Sequence, residues 1–268
     1  GKINGGKLIG RQHGGNYGQN EYCGIEFVER TVSDYFISWG WNDTHYKGAE
    51  IIPLPDYNLS RYYNIYKNNN ENLIMVNQLL PFQIYRFTCF GLMKNYLAYF
   101  ENKKKFFENI DARILEKLIY RPYHQDYGWR EYENKLLENY QLKREYNGDL
   151  KNILQSVKLY ICDHLGTSLL EALVIGTPTI LFWDSEMFDE RETVKPAFDL
   201  LRNAGILFHQ PEEAAKKINE IWNNILDWWQ EPSRQKARLE FLKMQCNVDK
   251  NWKKIWVKKL KRELLRKS

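Results

Sequence analysis

The chain is short of the features that mark secreted, metal-centred or membrane-spanning proteins. Its four cysteines, Cys23, Cys89, Cys162 and Cys246, stand far apart with no CxxC and no Cys/His spacing. Neither a disulfide framework nor a zinc site is expected, and a reducing cytoplasm is the simplest home. No apolar run reaches the ~18 residues of a membrane span. The longest candidate, LVIGTPTILFW, is broken by Gly176 and Pro178. No secretory leader is recognisable, and no internal repeat of the ~20–50 residue kind appears. The acidic string DSEMFDERE (184–192) has neither a DxD motif nor histidine partners, so it reads as a surface loop and no metal is expected. The chain also starts on Gly1 rather than methionine and reaches its first motif within a dozen residues, which makes a fragment the expectation.

Aromatics, by contrast, are abundant, at 15% with nine Trp and 18 Tyr, and apolar residues reach 43%, enough for a real core. The net charge of +5 is placed unevenly, because basic residues crowd into NWKKIWVKKLKRELLRK (251–267). There Trp252, Ile255, Trp256, Val257, Leu260 and Leu264 fall at helical spacing among lysines. Such a basic amphipathic helix can lie on an anionic membrane face or pack back on its own protein. Charge confined to one tail, with no recognition motif beside it, excludes nucleic acid as a partner.

Along the chain, KLIG (7–10) and YFISW (35–39) read as strands joined through a glycine-rich loop and a helix. Prolines and the asparagine run KNNNEN place a boundary or hinge near 55–72. LIMVNQLL (73–80) is a buried strand candidate, 95–107 a helix, and RPYHQDYGW (121–129) a loop after a strand. From residue 149 the pattern sharpens: helix DLKNILQS, strand KLYIC, loop DHLGT, helix SLLEALVIG with Gly176 at its end, and strand TPTILFW running to Asp184. Buried strands alternating with short helices predict an α/β fold with a Rossmann-like parallel sheet. The expected domains are 1–62, 63–230 and a closing helical part, 231–268.

The DHLGTS turn is the strongest chemical signal. A strand delivers the chain to Gly166, Thr167 and Ser168 just as a helix begins, and the unpaired amides and dipole of a helix N-terminus stabilise an anion. Two hydroxyls beside a glycine make it a phosphate seat. Ser168 and Glu171, three residues apart, equally spell a capping box.

The run EALVIGTPTI resembles the EA(M/L)xxGxPV(I/V) segment of GT-B glycosyltransferases, and the stretch from DLKNILQS to WDSEMFDE is similar to the CDP-glycerol glycerophosphotransferases. With QHGGNYG, SDYFISWGW, RPYHQDYGW and the Trp228/Trp229 pair, the layout resembles transferases of bacterial O-antigen and capsule synthesis. The resemblance implies a GT-B C-terminal domain preceded by the end of an N-terminal domain, about the C-terminal half of such an enzyme. It places donor phosphate on Thr167 and Ser168 and donor ribose on Glu171. His164 to Gly166 replace a shorter tyrosine spacer, which leaves the donor open.

In the related transferases a His-Gly pair faces the interdomain cleft, and His13 and Gly14 match it. Histidine has a pKa suited to general base work and glycines allow close approach. QHGGNYG also reads as a plain turn, with Asn16 and Gly18 at positive φ. Arg121 is the candidate for a second phosphate contact, or else pairs with Asp126 or Glu131. His124 and Asp126 share its loop, Arg86 follows an earlier strand, and His164 abuts the seat. The expected function is metal-independent transfer of a glycosyl or polyol-phosphate group from a nucleotide-linked donor to a lipid-linked or oligosaccharide acceptor, in the cytoplasm or at the membrane's cytoplasmic face. A nucleotide-sugar 2-epimerase-like enzyme and a non-catalytic nucleotide- or glycan-binding module are the alternatives.

Overall fold

The computed structural model describes residues 6–79, 93–183 and 188–265. Its first unit is a parallel sheet in the order β1-β2-β3, built from β1 (Ile9–Arg11), β2 (Tyr35–Ser38) and β3 (Glu50–Pro53), with helix α1 (Gly24–Val32) between the first two. The second unit has six parallel strands: β4 (Leu73–Val76), β5 (Leu118–Arg121), β6 (Lys143–Arg144), β7 (Leu159–Cys162), β8 (Thr179–Phe182) and β9 (Leu207–Phe208). Their order, β6-β5-β4-β7-β8-β9, is that of a doubly wound Rossmann sheet.

Helices α2 (Met93–Asn109), α3 (Ala112–Leu115), α4 (Arg130–Asn139), α5 (Leu150–Leu154), α6 (Thr167–Ile175), α7 (Lys195–Asn203) and α8 (Pro211–Ile221) connect the strands or follow them. Three more close the chain: α9 (Ile225–Gln230), α10 (Pro232–Gln245) and α11 (Trp252–Leu265). LYIC and TILF carry no charged residue because strands covered by helices on both faces bury every side chain, and β7 and β8 are buried throughout, Thr179 with its hydroxyl on the Thr177 carbonyl. Gly176 ends α6 at φ 88°, a left-handed conformation that glycine adopts without cost, and its carbonyl accepts the Trp229 indole N–H at 2.7 Å.

The first sheet ends at residue 53 and the second begins at 73, and the segment between them is tied down. Asn64 and Tyr66 donate their amides to the carbonyls of Val174 and Ile175. Past α10 the chain crosses back, with the Asn247 amide on the Trp39 carbonyl at 2.7 Å. Ile255, Trp256 and Leu260 of α11 pack on Tyr35, Ile37, Ile52 and Leu54 of the first sheet, and the Trp256 indole donates to the Pro55 carbonyl. Ile255, Trp256 and Leu260 of the apolar face are therefore spent on the protein itself, while Val257 stays exposed. Among the described residues no helix is long and apolar enough to cross a membrane.

One expectation needs correction. Asp184 lies outside the described residues, but Phe188, Glu190 and Arg191 of the acidic string are buried. Arg191 enters the first unit, where its guanidinium meets Glu26 at 2.9 Å and Asp43 at 2.6 Å. Arg30 meets the same two carboxylates at 2.8 and 3.1 Å. Two cations and two anions thus balance in a closed site, so a string that reads as solvated fastens one unit to the other.

Candidate functional site

Strand order reverses between β4 and β7, and in open α/β sheets ligands bind outside the carboxyl ends of the strands at such a switch point. A cavity of about 360 Å³ opens there, within the range of small-molecule sites. Asn77, Gln78 and Leu79 follow β4, Tyr123 and Tyr127 follow β5, and His164, Gly166, Thr167 and Ser168 follow β7. Glu171 and Leu150 line it as well, and Asn16 comes from the first unit.

Helix α6 starts at Thr167 with Gly166 as its N-cap and no side-chain cap. The capping-box alternative is not realised. Ser168 lies within the first turn and its Oγ accepts the Tyr160 hydroxyl at 2.8 Å, while Glu171 turns to Lys151 at 3.6 Å. Burial pushes the Glu171 carboxyl above its usual range, partly offset by Lys151. Gly166 lies close under the ring: a Cβ there would stand 3.0 Å from His164 Cδ2 and 3.2 Å from its Nε2, so the ring would have to shift slightly.

The glycine loop of the first unit lands on this turn. Gly15 donates its amide to Thr167 Oγ1 at 2.8 Å, and a Cβ on Gly15 would stand 2.4 Å from the Gly166 carbonyl carbon. On Gly14 it would meet only Thr167 Oγ1, at 3.1 Å. Asn16 and Gly18 take positive φ, 72° and 70°, and turn the loop back into its own unit. His13, beside these glycines, keeps 54% of its side chain exposed. Its Nε2 lies 2.6 Å from the Tyr17 hydroxyl and 3.2 Å from Glu29 Oε1, and Tyr17 also donates to Glu29 Oε2. The histidine is not among the residues lining the cavity, although the residues after it press against the cavity's wall.

Arg121, at the end of β5, gives its guanidinium to the carbonyls of Asn147 and Gly148, at 3.0 and 2.8 Å, rather than to Asp126 or Glu131. It therefore braces the turn that leads into α5. His124 rests on Tyr123 and Asp126 accepts the Gly128 amide, both on the exposed part of their loop. Arg86 lies outside the described residues.

Behind the cavity runs a buried polar chain that sequence reading did not find. Asp163 accepts the Tyr99 hydroxyl at 2.8 Å, His164 Nδ1 at 3.1 Å and the Lys103 ammonium. Tyr99 also donates to Asn77 Oδ1 at 2.9 Å, and Asn77 and Tyr120 both donate to Glu133. Burial alone would raise the Asp163 carboxyl, but Lys103 and His164 outweigh it and hold it below the usual range. Burial opposes charge on His164, yet Cys162 and Asp163 offset this and push its pKa up to about 9. The only warning in the sequence is that Tyr99, Lys103, Phe106 and Phe107 share one helical face. Among the described residues no group of three or more His, Cys, Asp or Glu side chains could hold a metal ion.

An uncapped helix N-terminus, two hydroxyls, an imidazole ring and a carboxylate around one cavity can hold an anion joined to a hydroxylated group. Solved structures of other proteins resemble this chain to different degrees. S. aureus TarM, solved with UDP, α-GlcNAc-glycerol and fondaparinux, superposes with a TM-score of 0.51 at 12% identity over 93% of this chain and 50% of its own. The wall teichoic acid polymerase TagF, solved with CDPG, gives 0.42 at 13% identity over 90% and 58%. Trehalose-6-phosphate synthase gives 0.44 at 13% over 90% and 63%. This chain thus spans about half the length of TarM, and the likeness shows the GT-B fold. Among curated protein sequences none matches. The sequence profile described as LIC12162 family transferase, however, matches residues 2–260, nearly the whole of both units, and so the chain belongs to the LIC12162 family of transferases.

Proposed function

We propose that this chain moves a glycosyl or polyol-phosphate group from a nucleotide-activated donor to a surface-polysaccharide acceptor. The cavity at the strand-order reversal, with α6 aimed into it by an uncapped N-terminus, carries the reading. Donor phosphate lies on Gly166, Thr167 and Ser168, where first-turn amides and hydroxyls meet it, and the leaving phosphate's developing charge is met by the same donors. Glu171 accepts hydrogen bonds from the ribose hydroxyls.

His13 acts as the base. Glu29 and Tyr17 both lie at Nε2, so the neutral ring carries its proton there and leaves Nδ1 to take the acceptor hydroxyl's proton, with Glu29 steadying the imidazolium. The acceptor is an oligosaccharide or its lipid-linked form. The outer face of α11, with Lys253, Lys254, Lys258 and Lys261 exposed, meets an anionic membrane. No metal takes part, since helix dipole and donors supply the charge.

CDP-, CMP-, UDP- and GDP-linked donors are tested first for thermal stabilisation, then with Ser168→Ala and His13→Ala. Stabilisation by one base, weakened in Ser168→Ala, together with binding but no transfer in His13→Ala, is the expected result. If no nucleotide stabilises the chain, the phosphate seat is wrong. Loss of activity in chelator would refute metal independence, and unchanged liposome flotation after reversing the four lysine charges would refute the membrane contact.

A further inference from the structure

The buried chain behind the cavity has no part in the roles above, yet one of its members forms part of the wall. His164 lines the cavity next to Gly166, Thr167 and Ser168, and the Nε2 edge of its ring lies over Gly166, within 3.2 Å of where a Cβ would stand. Its other nitrogen is taken, since Nδ1 is 3.1 Å from Asp163 Oδ1. Among the described residues Nε2 meets the Cys162 sulfur at 3.8 Å, a long contact. The nitrogen at the helix N-terminus therefore keeps only that long contact, in a side chain 5% exposed, and the nitrogen away from it is held.

Asp163 is fixed in turn. Tyr99 and Lys103, one turn apart on α2, reach its two carboxylate oxygens. Around the ring the titratable groups are Cys162 from β7, Asp163 from the turn, Tyr99 and Lys103 from α2, and Glu171 from α6 across the cavity. Glu171 is occupied by Lys151, and Glu133 by Asn77 and Tyr120. Lys103 and Asp163 cancel, so while Cys162 is a neutral thiol, protonation of His164 leaves one net positive charge beside the first turn of α6. That is an unfavourable place for a cation unless an anion joins it.

We propose that His164, as an imidazolium donating from Nε2, is a binding residue for the donor's diphosphate, and that Asp163, with Tyr99 and Lys103 behind it, is the positioning residue that keeps the ring charged and aimed. The inference rests on the nucleotide-donor reading and adds to it a charge that the hydroxyls of the seat do not supply. The pKa near 9 agrees with this, because a ring charged at pH 7 pays nothing to receive an anion.

The test is calorimetric titration of the full chain with ADP, CDP, GDP and UDP between pH 7 and 10. Wild type is compared with His164→Gln, whose amide keeps a donor but cannot titrate. Taking the ratio of the two affinities cancels ionisation of the ligand and of every other group. At pH 7 wild type should bind about tenfold more tightly, the difference between a hydrogen bond from a charged donor and one from a neutral donor. The ratio should then fall about tenfold between pH 8 and 10 as the ring deprotonates. Asp163→Asn should move that fall toward pH 6.5. If it fails to fold, the pH dependence of the wild-type to His164→Gln ratio carries the test alone. A ratio that stays constant from pH 7 to 10 overturns the inference and leaves the nucleotide reading standing. Failure of all four diphosphates to bind wild type at pH 7 refutes the nucleotide reading and this inference with it.

Discussion

Arg191→Met should destabilise the protein by about 3–5 kcal/mol, the cost of removing one partner from a buried ion pair. The side chains of Glu26, Arg30 and Arg191 are at most 2% exposed and that of Asp43 6%, so water cannot make good the loss. Methionine fills much of the arginine's volume but leaves two carboxylates facing Arg30 alone. The carbonyl of Asn20, which Arg191 also holds at 3.1 Å, loses its donor. The melting temperature should drop by on the order of 10 °C. Adding Glu26→Gln restores the balance, one cation against one anion, and should recover more than half of the loss. Urea unfolding of wild type, both single variants and the double variant reads this as a coupling energy of at least about 2 kcal/mol. A single-variant cost under about 1 kcal/mol, or a double variant no more stable than Arg191→Met, would refute the account of the cluster as a closed, balanced lock.

Gly15→Ala should cost about 1–3 kcal/mol, because its Cβ meets Gly166 backbone at 2.4 Å and overpacking against backbone cannot be relieved by a rotamer change. Gly14→Ala, which meets only Thr167 Oγ1 at 3.1 Å, should cost under about 0.5 kcal/mol, and equal melting temperatures for the two would contradict the fit of loop to turn. Trp256→Ala should cost about 3 kcal/mol and raise amide exchange in β2 and β3, which α11 covers. The pKa of His164, raised from 6.5 to about 9, gives stability that is present in full below pH 6.5 and is lost as pH rises through 9. The loss is about 3 kcal/mol in all, and urea titrations at pH 6, 8 and 10 should show it in wild type but not in His164→Gln.

The part of the molecule that sequence made legible is the part where neighbours in the chain are neighbours in space. KLYIC, DHLGTS, SLLEALVIG and TPTILFW fold as one strand-turn-helix-strand unit, and their run lengths and Gly176 mark its joints. Its ends shifted by a residue or two, since the helix begins at Thr167, one residue before the run that marks it. The rest depends on partners far apart in sequence. Arg191 looks solvated within DSEMFDERE, and nothing local announces that Glu26 and Asp43 await it. Lys103 is hidden in the run KKK, where only its place one turn after Tyr99 separates it from two surface lysines. Tyr123 and Tyr127 reach the cavity from a loop whose Arg121 and His124 had the stronger chemical signal, because planar rings and a charged head leave the same turn in different directions.

The lock and the site share one residue. Glu26 receives both arginines and also accepts the Gly18 amide at 2.8 Å, and Gly18 ends the loop that sets Gly15 on Thr167. A movement of Arg191 is passed through Glu26 to Gly18 and so to His13, five residues earlier and otherwise held by Tyr17 and Glu29. Stability and alignment are coupled here by geometry: the charges that fasten the units together also hold Gly18 of the loop that carries His13 and sets Gly15 on Thr167. Arg191→Met should therefore lower the proposed transfer activity by more than its folded fraction explains, and activity per folded molecule equal to that of wild type would refute the coupling.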